Sequence, residues 1–216
     1  MQIQFFSKSF VTLLIAAQLS ACGAIAVGGV AAGATVMADR RTPGVQAIDR
    51  GIELEANAAL AKKFGDNAHI NVTSFNQKVL LTGEAKDADI KSAAGDYVKS
   101  MKNARTVFNE LKIGPNSSYT ARANDAYLES KIKTQMIFTE KLPSNSMSVV
   151  VTGTSVYLMG ILTQNEADMA KKIASNTNGV KDVYVYYDII STEEKNRLEK
   201  QGKADEAQPN TPPKFQ

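Results

Sequence analysis

Few residues in this chain could do covalent or acid–base chemistry. It has one cysteine, Cys22, and one histidine, His69. A lone thiol and a lone imidazole exclude disulfide frameworks, Cys/His zinc sites and CxxC redox pairs. Two carboxylate pairs, Glu84 with Asp87 and Glu166 with Asp168, are close in sequence, but acidic residues at helix starts commonly serve the helix macrodipole. No nucleophile–base–orienter set and no glycine-rich phosphate loop accompanies them. The expectation is no catalytic residue, no metal and no cofactor. A different chemistry is written in Tyr127, Lys131, Thr134 and Phe138. On a helix these four fall within about 60° of one another, and two rings beside a cation suit a lipid headgroup layer, with rings at headgroup depth and the lysine reaching toward phosphate. They are the expected lipid-binding residues. The same rings could instead pack beneath the first half of the chain or the Gly-Pro-Asn-Ser-Ser segment at 114–118.

What Cys22 can do is carry a group. The chain opens with one lysine, an apolar run from Phe10 to Leu19 and small residues up to the cysteine, the pattern of an export signal over residues 1–21. Leu19-Ser20-Ala21-Cys22-Gly23 resembles the bacterial lipobox, which implies that Cys22 takes a thioether-linked diacylglycerol and becomes the acylated mature N-terminus. Glycine rather than aspartate after the cysteine implies sorting to the outer membrane. Residues 23–38 stay apolar on Gly and Ala, so an uncleaved membrane helix is the rival reading, and a secreted protein with an incidental cysteine is another. Three acyl chains anchor far beyond the marginal hold of one, and residues 22–45 are read as a lipidated, flexible tether. The 26 residues between Cys22 and Asp49 would span about 28 Å as a flexible chain.

The remainder of the 216 residues is globular in composition, with 44% hydrophobic residues and a net charge of only +3. That charge gives no support to nucleic-acid binding through bulk electrostatics. Self-comparison is the most informative step. Val79, Leu81 and Gly83 reappear 77 residues on as Val156, Leu158 and Gly160, and Ile52-Glu53 reappears 76 on as Leu128-Glu129.

Each copy begins with a helix: Ile52, Ala56, Leu60 and Phe64 mark the buried side of the first, Leu128, Ile132, Gln135 and Met136 that of the second. Two short strands follow, Ile70 to Ser74 with Lys78 to Thr82 and Ser148 to Thr152 with Ser155 to Met159, closed by Gly83 and Gly160. A second helix starts at the N-caps Asp87 or Asn165, and a last strand ends the copy. The fold class is α+β: two tandem αββαβ domains over 46–115 and 124–191, each a three-stranded mixed sheet with two helices on one face. Val79, Leu81, Val156 and Leu158 should face the helices, leaving Tyr184 and Tyr186 to solvent, a ligand or the other copy. The tail, 192–216, is polar and Pro-containing and is expected to be disordered beyond a short helix.

These residues resemble the BON-domain family of αββαβ modules. The likeness rests on Ile-Glu or Leu-Glu in the first helix, Val-x-Leu-x-Gly after the hairpin and Asn178-Gly179-Val180 before the last strand, with Lys102-Asn103-Ala104 departing from it in copy one. With the lipobox and Asp39-Arg40-Arg41-Thr42 the chain resembles two-copy outer-membrane lipoproteins of that family. The resemblance implies no catalysis, anchoring on the periplasmic face of the cell outer membrane, and binding of anionic phospholipids such as phosphatidylglycerol and cardiolipin. It also implies a role in outer-membrane integrity, envelope stress and cell division, with outer-membrane assembly or cell-division proteins as further partners. A protein-docking adaptor without lipid recognition is the alternative.

Overall fold

The computed structural model describes residues 39–207. The signal, Cys22 and the stretch 23–38 lie outside them, as does the Pro-containing end 208–216. Five helices and seven strands are present among the described residues. Copy one comprises α1 (Pro43–Phe64), β1 (Ala68–Phe75), β2 (Lys78–Ala85), α2 (Ala88–Ser100), β3 (Thr106–Asn109) and β4 (Lys112–Ile113). Copy two comprises α3 (Tyr119–Ile137), β5 (Met147–Thr152), β6 (Ser155–Leu162), α4 (Gln164–Ser175) and β7 (Asp182–Ile189), and is followed by α5 (Thr192–Ala207). The αββαβ order holds in both.

Local chemistry explains most of the boundaries. Pro43 takes the first helical position behind Thr42, whose hydroxyl accepts the Val45 N–H, the position where proline's missing N–H costs nothing. Asp87 caps α2 through the Ile90 N–H, as its type suggests. The cap of α4 is Thr163 and not Asn165, because Glu166 three residues on completes a reciprocal capping box. The hairpin turns are Asn76-Gln77 and Gly153-Thr154, all four with positive φ, which matches the twist of the flanking strands. Gly83 and Gly160 do not end the hairpins. They sit inside β2 and β6, opposite Ile70 and Met147.

Each hairpin is antiparallel and the last strand joins parallel to its second strand, β3 and β4 to β2, and β7 to β6. In copy one that last strand is interrupted at Glu110 and Leu111. The helices cover one face of each sheet. Val79 and Leu81 join Ile52, Ala56, Leu60 and Val98, while Val156 and Leu158 join Leu128, Ile132, Met136 and Ala170. Gln135 is a correction to the expected buried arc. It is exposed, its Oε1 accepting from the Thr177 hydroxyl at 3.2 Å.

The opposite faces of the two sheets meet one another. Phe75 and Leu80 of copy one pack with Tyr157, Met159 and Ile161 of copy two, and Phe108, Tyr186 and Leu198 complete the cluster. Alternation along β2 and β6 sends odd and even residues to different cores, so both faces of these central strands are apolar and buried. Tyr186 lies 4.2 Å from the Phe108 ring, and Tyr184 stacks on Tyr157 at 5.2 Å. Of the three fates open to the tyrosines, Tyr186 meets the other copy, whereas Tyr184 stacks within copy two and stays 42% exposed. Lys78 adds an ion pair to Asp188 at 2.7 Å, and Lys112 Nζ donates to the Ser155 hydroxyl. The two copies form a fixed pair.

Residues 39–45, expected to belong to the flexible 22–45 tether, are instead held in the fold, and residues 22–38 lie outside the described residues. Arg40 is buried, its backbone N–H donating to Ser146 Oγ at 3.2 Å. Its guanidinium donates to the Ile161 carbonyl and to both oxygens of Glu166, and reaches Glu199 of α5 at 2.8 Å. Lys195 also pairs with Glu166 at 2.9 Å. Burial would raise the Glu166 pKa, but hydrogen bonds from Arg40, the Thr163 N–H and Lys195 outweigh it and hold the carboxyl down at about 2. The tail is correspondingly more structured than expected, with α5 sixteen residues long and Leu198 in the inter-sheet cluster.

Candidate lipid-facing surface

The α3 helix is placed by its own buried stripe, Leu128, Ile132 and Met136. Its sequence has only two acidic residues, and both are committed away from solvent-facing chemistry. Asp125 accepts the N–H groups of Gly153 and Thr154 in the hairpin turn, and Glu129 accepts the Val151 N–H at 3.3 Å. In copy one Asp49 and Glu53 do the same for Asn76, Gln77 and Ser74. This pairing of a helix with its hairpin is the physical meaning of the Ile-Glu and Leu-Glu signature.

The remaining arc of α3 faces outward. Tyr127 is 64% exposed, Ile137 54% and Phe138 81%, with Thr134 exposed and Lys131 half-buried between them. The structure therefore brings Tyr127, Lys131, Thr134 and Phe138 onto one surface, and neither ring packs beneath copy one or the 114–118 segment. Sequence reasoning missed Ile137, which widens the apolar strip, and Tyr119, 86% exposed at the helix start with the Arg122 guanidinium 4.6 Å above its ring. Both could have been found by extending the wheel beyond four residues. Exposed large apolar side chains clustered on one helix face mark an interaction surface more often than scattered ones do. The equivalent arc of α1 carries Gly51, Glu55, Ala58 and Lys62, which offers neither rings nor a uniform charge.

Three of the four carboxylates singled out in the sequence are structural, and the fourth, Asp168, is exposed on α4. Asp87 and Glu166 cap helices, and Glu84 accepts the Ser117 N–H and lies 3.6 Å from His69 Nδ1. Among the described residues no cluster of His, Cys, Asp or Glu could hold a metal ion, and no helix is long and apolar enough to cross a membrane.

The BON domain family model matches residues 48–115 and 124–187, the two structural copies. The chain is 32% identical over 167 residues to the outer membrane lipoprotein DolP of Haemophilus influenzae, covering 76% of this chain and 86% of that one. It is 26% identical over 147 residues to a 21 kDa hemolysin of Actinobacillus pleuropneumoniae, covering 67% and 76% respectively. The matched residues, the repeated helix–hairpin carboxylates and the αββαβ order agree: this chain belongs to the BON-domain family, as a protein with two BON domains of the DolP type.

Proposed function

We propose that this protein is a non-catalytic lipoprotein of the outer membrane, acylated at Cys22 and facing the periplasm, whose second BON domain binds anionic phospholipid through α3. In that role it supports outer-membrane integrity, the envelope stress response and cell division. The observation that carries the reading is the outward arc of α3, where Tyr127 and Phe138 flank Lys131 while both acidic residues of the helix are bound to the hairpin. Kinship with an outer membrane lipoprotein supports the compartment.

Tethering makes a weak surface adequate. Arg40 is locked against Ser146, only eight residues beyond Phe138 in sequence, so the acylated segment enters the fold next to the end of the aromatic helix. The reach is set by the 17 residues from Cys22 to Asp39. A Gly/Ala-rich coil of that length spans about 22 Å. Confinement at such a distance gives an effective concentration on the order of millimolar, where a contact worth about 4 kcal/mol is substantially occupied. A ring at headgroup depth and a lysine worth about 1 kcal/mol near an anionic surface supply energy of that order.

Co-sedimentation of the protein lacking residues 1–22 with phosphatidylglycerol vesicles tests the face. Binding should fall with added salt and with Tyr127→Glu or Lys131→Glu. Equal sedimentation of wild type and both variants sinks the assignment. Cys22→Ala should move the full chain out of the outer-membrane fraction.

A further inference from the structure

The chain enters the fold at one fixed point. Asp39 is the first of the described residues, and Arg40 after it is held by backbone and side chain alike. Its N–H donates to Ser146 Oγ at 3.2 Å, and its guanidinium donates to the Ile161 carbonyl and to Glu166. Asp39 turns its carboxylate forward, onto the Arg41 N–H at 2.8 Å and onto the Arg41 guanidinium. The backbone at Arg40 is thereby pinned against the loop that precedes β5.

That loop rims a hollow. Ser144 and Asn145, just ahead of Ser146, border a space of about 120 Å³ whose walls are Met136 and Ile137 of α3 and Met147 and Val149 of β5. Met147 also borders a second hollow, which holds Arg41 and Gln46. The chain therefore passes Met147 between residues 39 and 41, and its continuation ahead of Arg40 starts at the rim of the first hollow. Apolar walls left without a partner forfeit dispersion contacts, and an engineered apolar cavity of about 150 Å³ is large enough to take benzene. The space suits one apolar side chain.

Directly ahead of Asp39-Arg40-Arg41 the sequence reads Val36-Met37-Ala38, three residues outside the described ones. Met37 precedes Arg40 by three positions, a reach of at most about 10 Å at about 3.3 Å per residue. It carries the longest apolar side chain of residues 23–38. An unbranched, polarisable thioether adapts to irregular gaps, and two other methionines already wall this one. We infer that Met37 docks in the hollow between Met136, Ile137, Met147 and Val149. Docked there, it fixes where the chain ahead of the fold leaves it, beside the C-terminal end of α3. A phospholipid tail is the rival occupant. By the 3.6-residue period, however, Lys133 and Met136 at the hollow lie roughly 120° or more around α3 from Tyr127, Lys131 and Phe138, whereas Met37 is delivered by covalent connection to a pinned residue, at high effective concentration. The docking requires neither acylation nor lipid binding.

The test is methyl nuclear Overhauser spectroscopy on the full-length protein in detergent micelles, with methionine, isoleucine and valine methyl groups labelled. Cross-peaks should join the Met37 methyl to those of Met147 and Val149. Met37→Gln should remove them and shift the Met136 and Met147 methyl resonances, while Met101 in copy one and Met159 between the sheets stay in place. Tyr127→Glu, which addresses the lipid-facing arc alone, should leave the Met37 cross-peaks intact, so a failure of lipid binding and a failure of this docking are told apart. The inference is overturned if Met147 shows no cross-peak to Met37, if its methyl contacts detergent or added phosphatidylglycerol tails instead, or if the cross-peaks fade on dilution, the sign that a second copy supplies the methionine.

Discussion

The phenol of Tyr186, in the last strand of copy two, donates to Glu110 Oε1 of copy one at 2.8 Å while its ring lies against Phe108. Burial, then the nearby Glu110 carboxylate, push the Tyr186 pKa above its usual range, so the phenol remains a donor throughout the physiological pH range. Tyr186→Phe keeps the ring and deletes the donor. It should cost about 1.5 to 3 kcal/mol, the scale of a hydrogen bond to a charged group, in urea unfolding. Tyr186→Ala should cost more and raise amide exchange across the Phe75, Leu80 and Tyr157 interface while leaving Val98 and Ala170, in the two helix-covered cores, protected.

Acid should find the Arg40 clamp. Glu166 is held at about 2, well below the ordinary glutamate value of about 4.5. A depressed carboxylate stabilises the fold fully above the unfolded value and loses that contribution as pH falls toward the folded one. The loss therefore lies between about pH 4.5 and pH 2 and amounts to about 3 kcal/mol. Glu166→Gln should flatten the stability profile in that window. Arg40→Ala should cost about 3 to 5 kcal/mol at neutral pH, since it strips the main partner from a buried charge. Thermal unfolding across pH measures both.

Gly83 and Gly160 occupy matching positions but differ in strain. At Gly83 φ is +114°, and a Cβ would stand 1.9 Å from the His69 carbonyl oxygen. At Gly160 the closest approach is 3.0 Å, to the Ser146 carbonyl oxygen. Gly83→Ala should destabilise by more than about 2 kcal/mol through backbone displacement. Gly160→Ala should be milder, and a difference of the opposite sign in chemical denaturation would contradict this geometry.

On α3, Phe138→Ser removes an exposed ring without touching the core. Its melting temperature should stay within about 2 °C of wild type, while the fraction bound to phosphatidylglycerol vesicles falls several-fold. A matched Leu54→Ser on α1, also exposed, should leave vesicle binding unchanged.

Much of this was legible in the sequence because two copies report on each other. The recurrence of Val79, Leu81 and Gly83 as Val156, Leu158 and Gly160 located both central strands, and the 3.6-residue period placed Leu128, Ile132 and Met136 inside and set Tyr127 and Phe138 on a separate stripe whose exposure it left open. Asn103 adopts the left-handed conformation, φ 72°, at the end of the α2 loop, as Gly179 does in copy two. The Arg40 clamp was not legible, because its partners Ser146, Ile161, Glu166 and Glu199 are more than 100 residues away and no periodicity connects them. Gln135 was misplaced because an angle on a wheel does not say how far the core extends around a helix. The meeting of the two sheets left only an ambiguous trace, tyrosines alternating in a strand that could equally have faced water.

The Arg40 contacts also decide where force enters. In sequence Arg40 leads into copy one, yet its side chain is moored to copy two and α5, while the next residue, Arg41, pairs with Asp49 of α1. A pull applied to the chain ahead of Arg40 therefore loads the second domain first, and the first domain is shielded from it until that mooring slips.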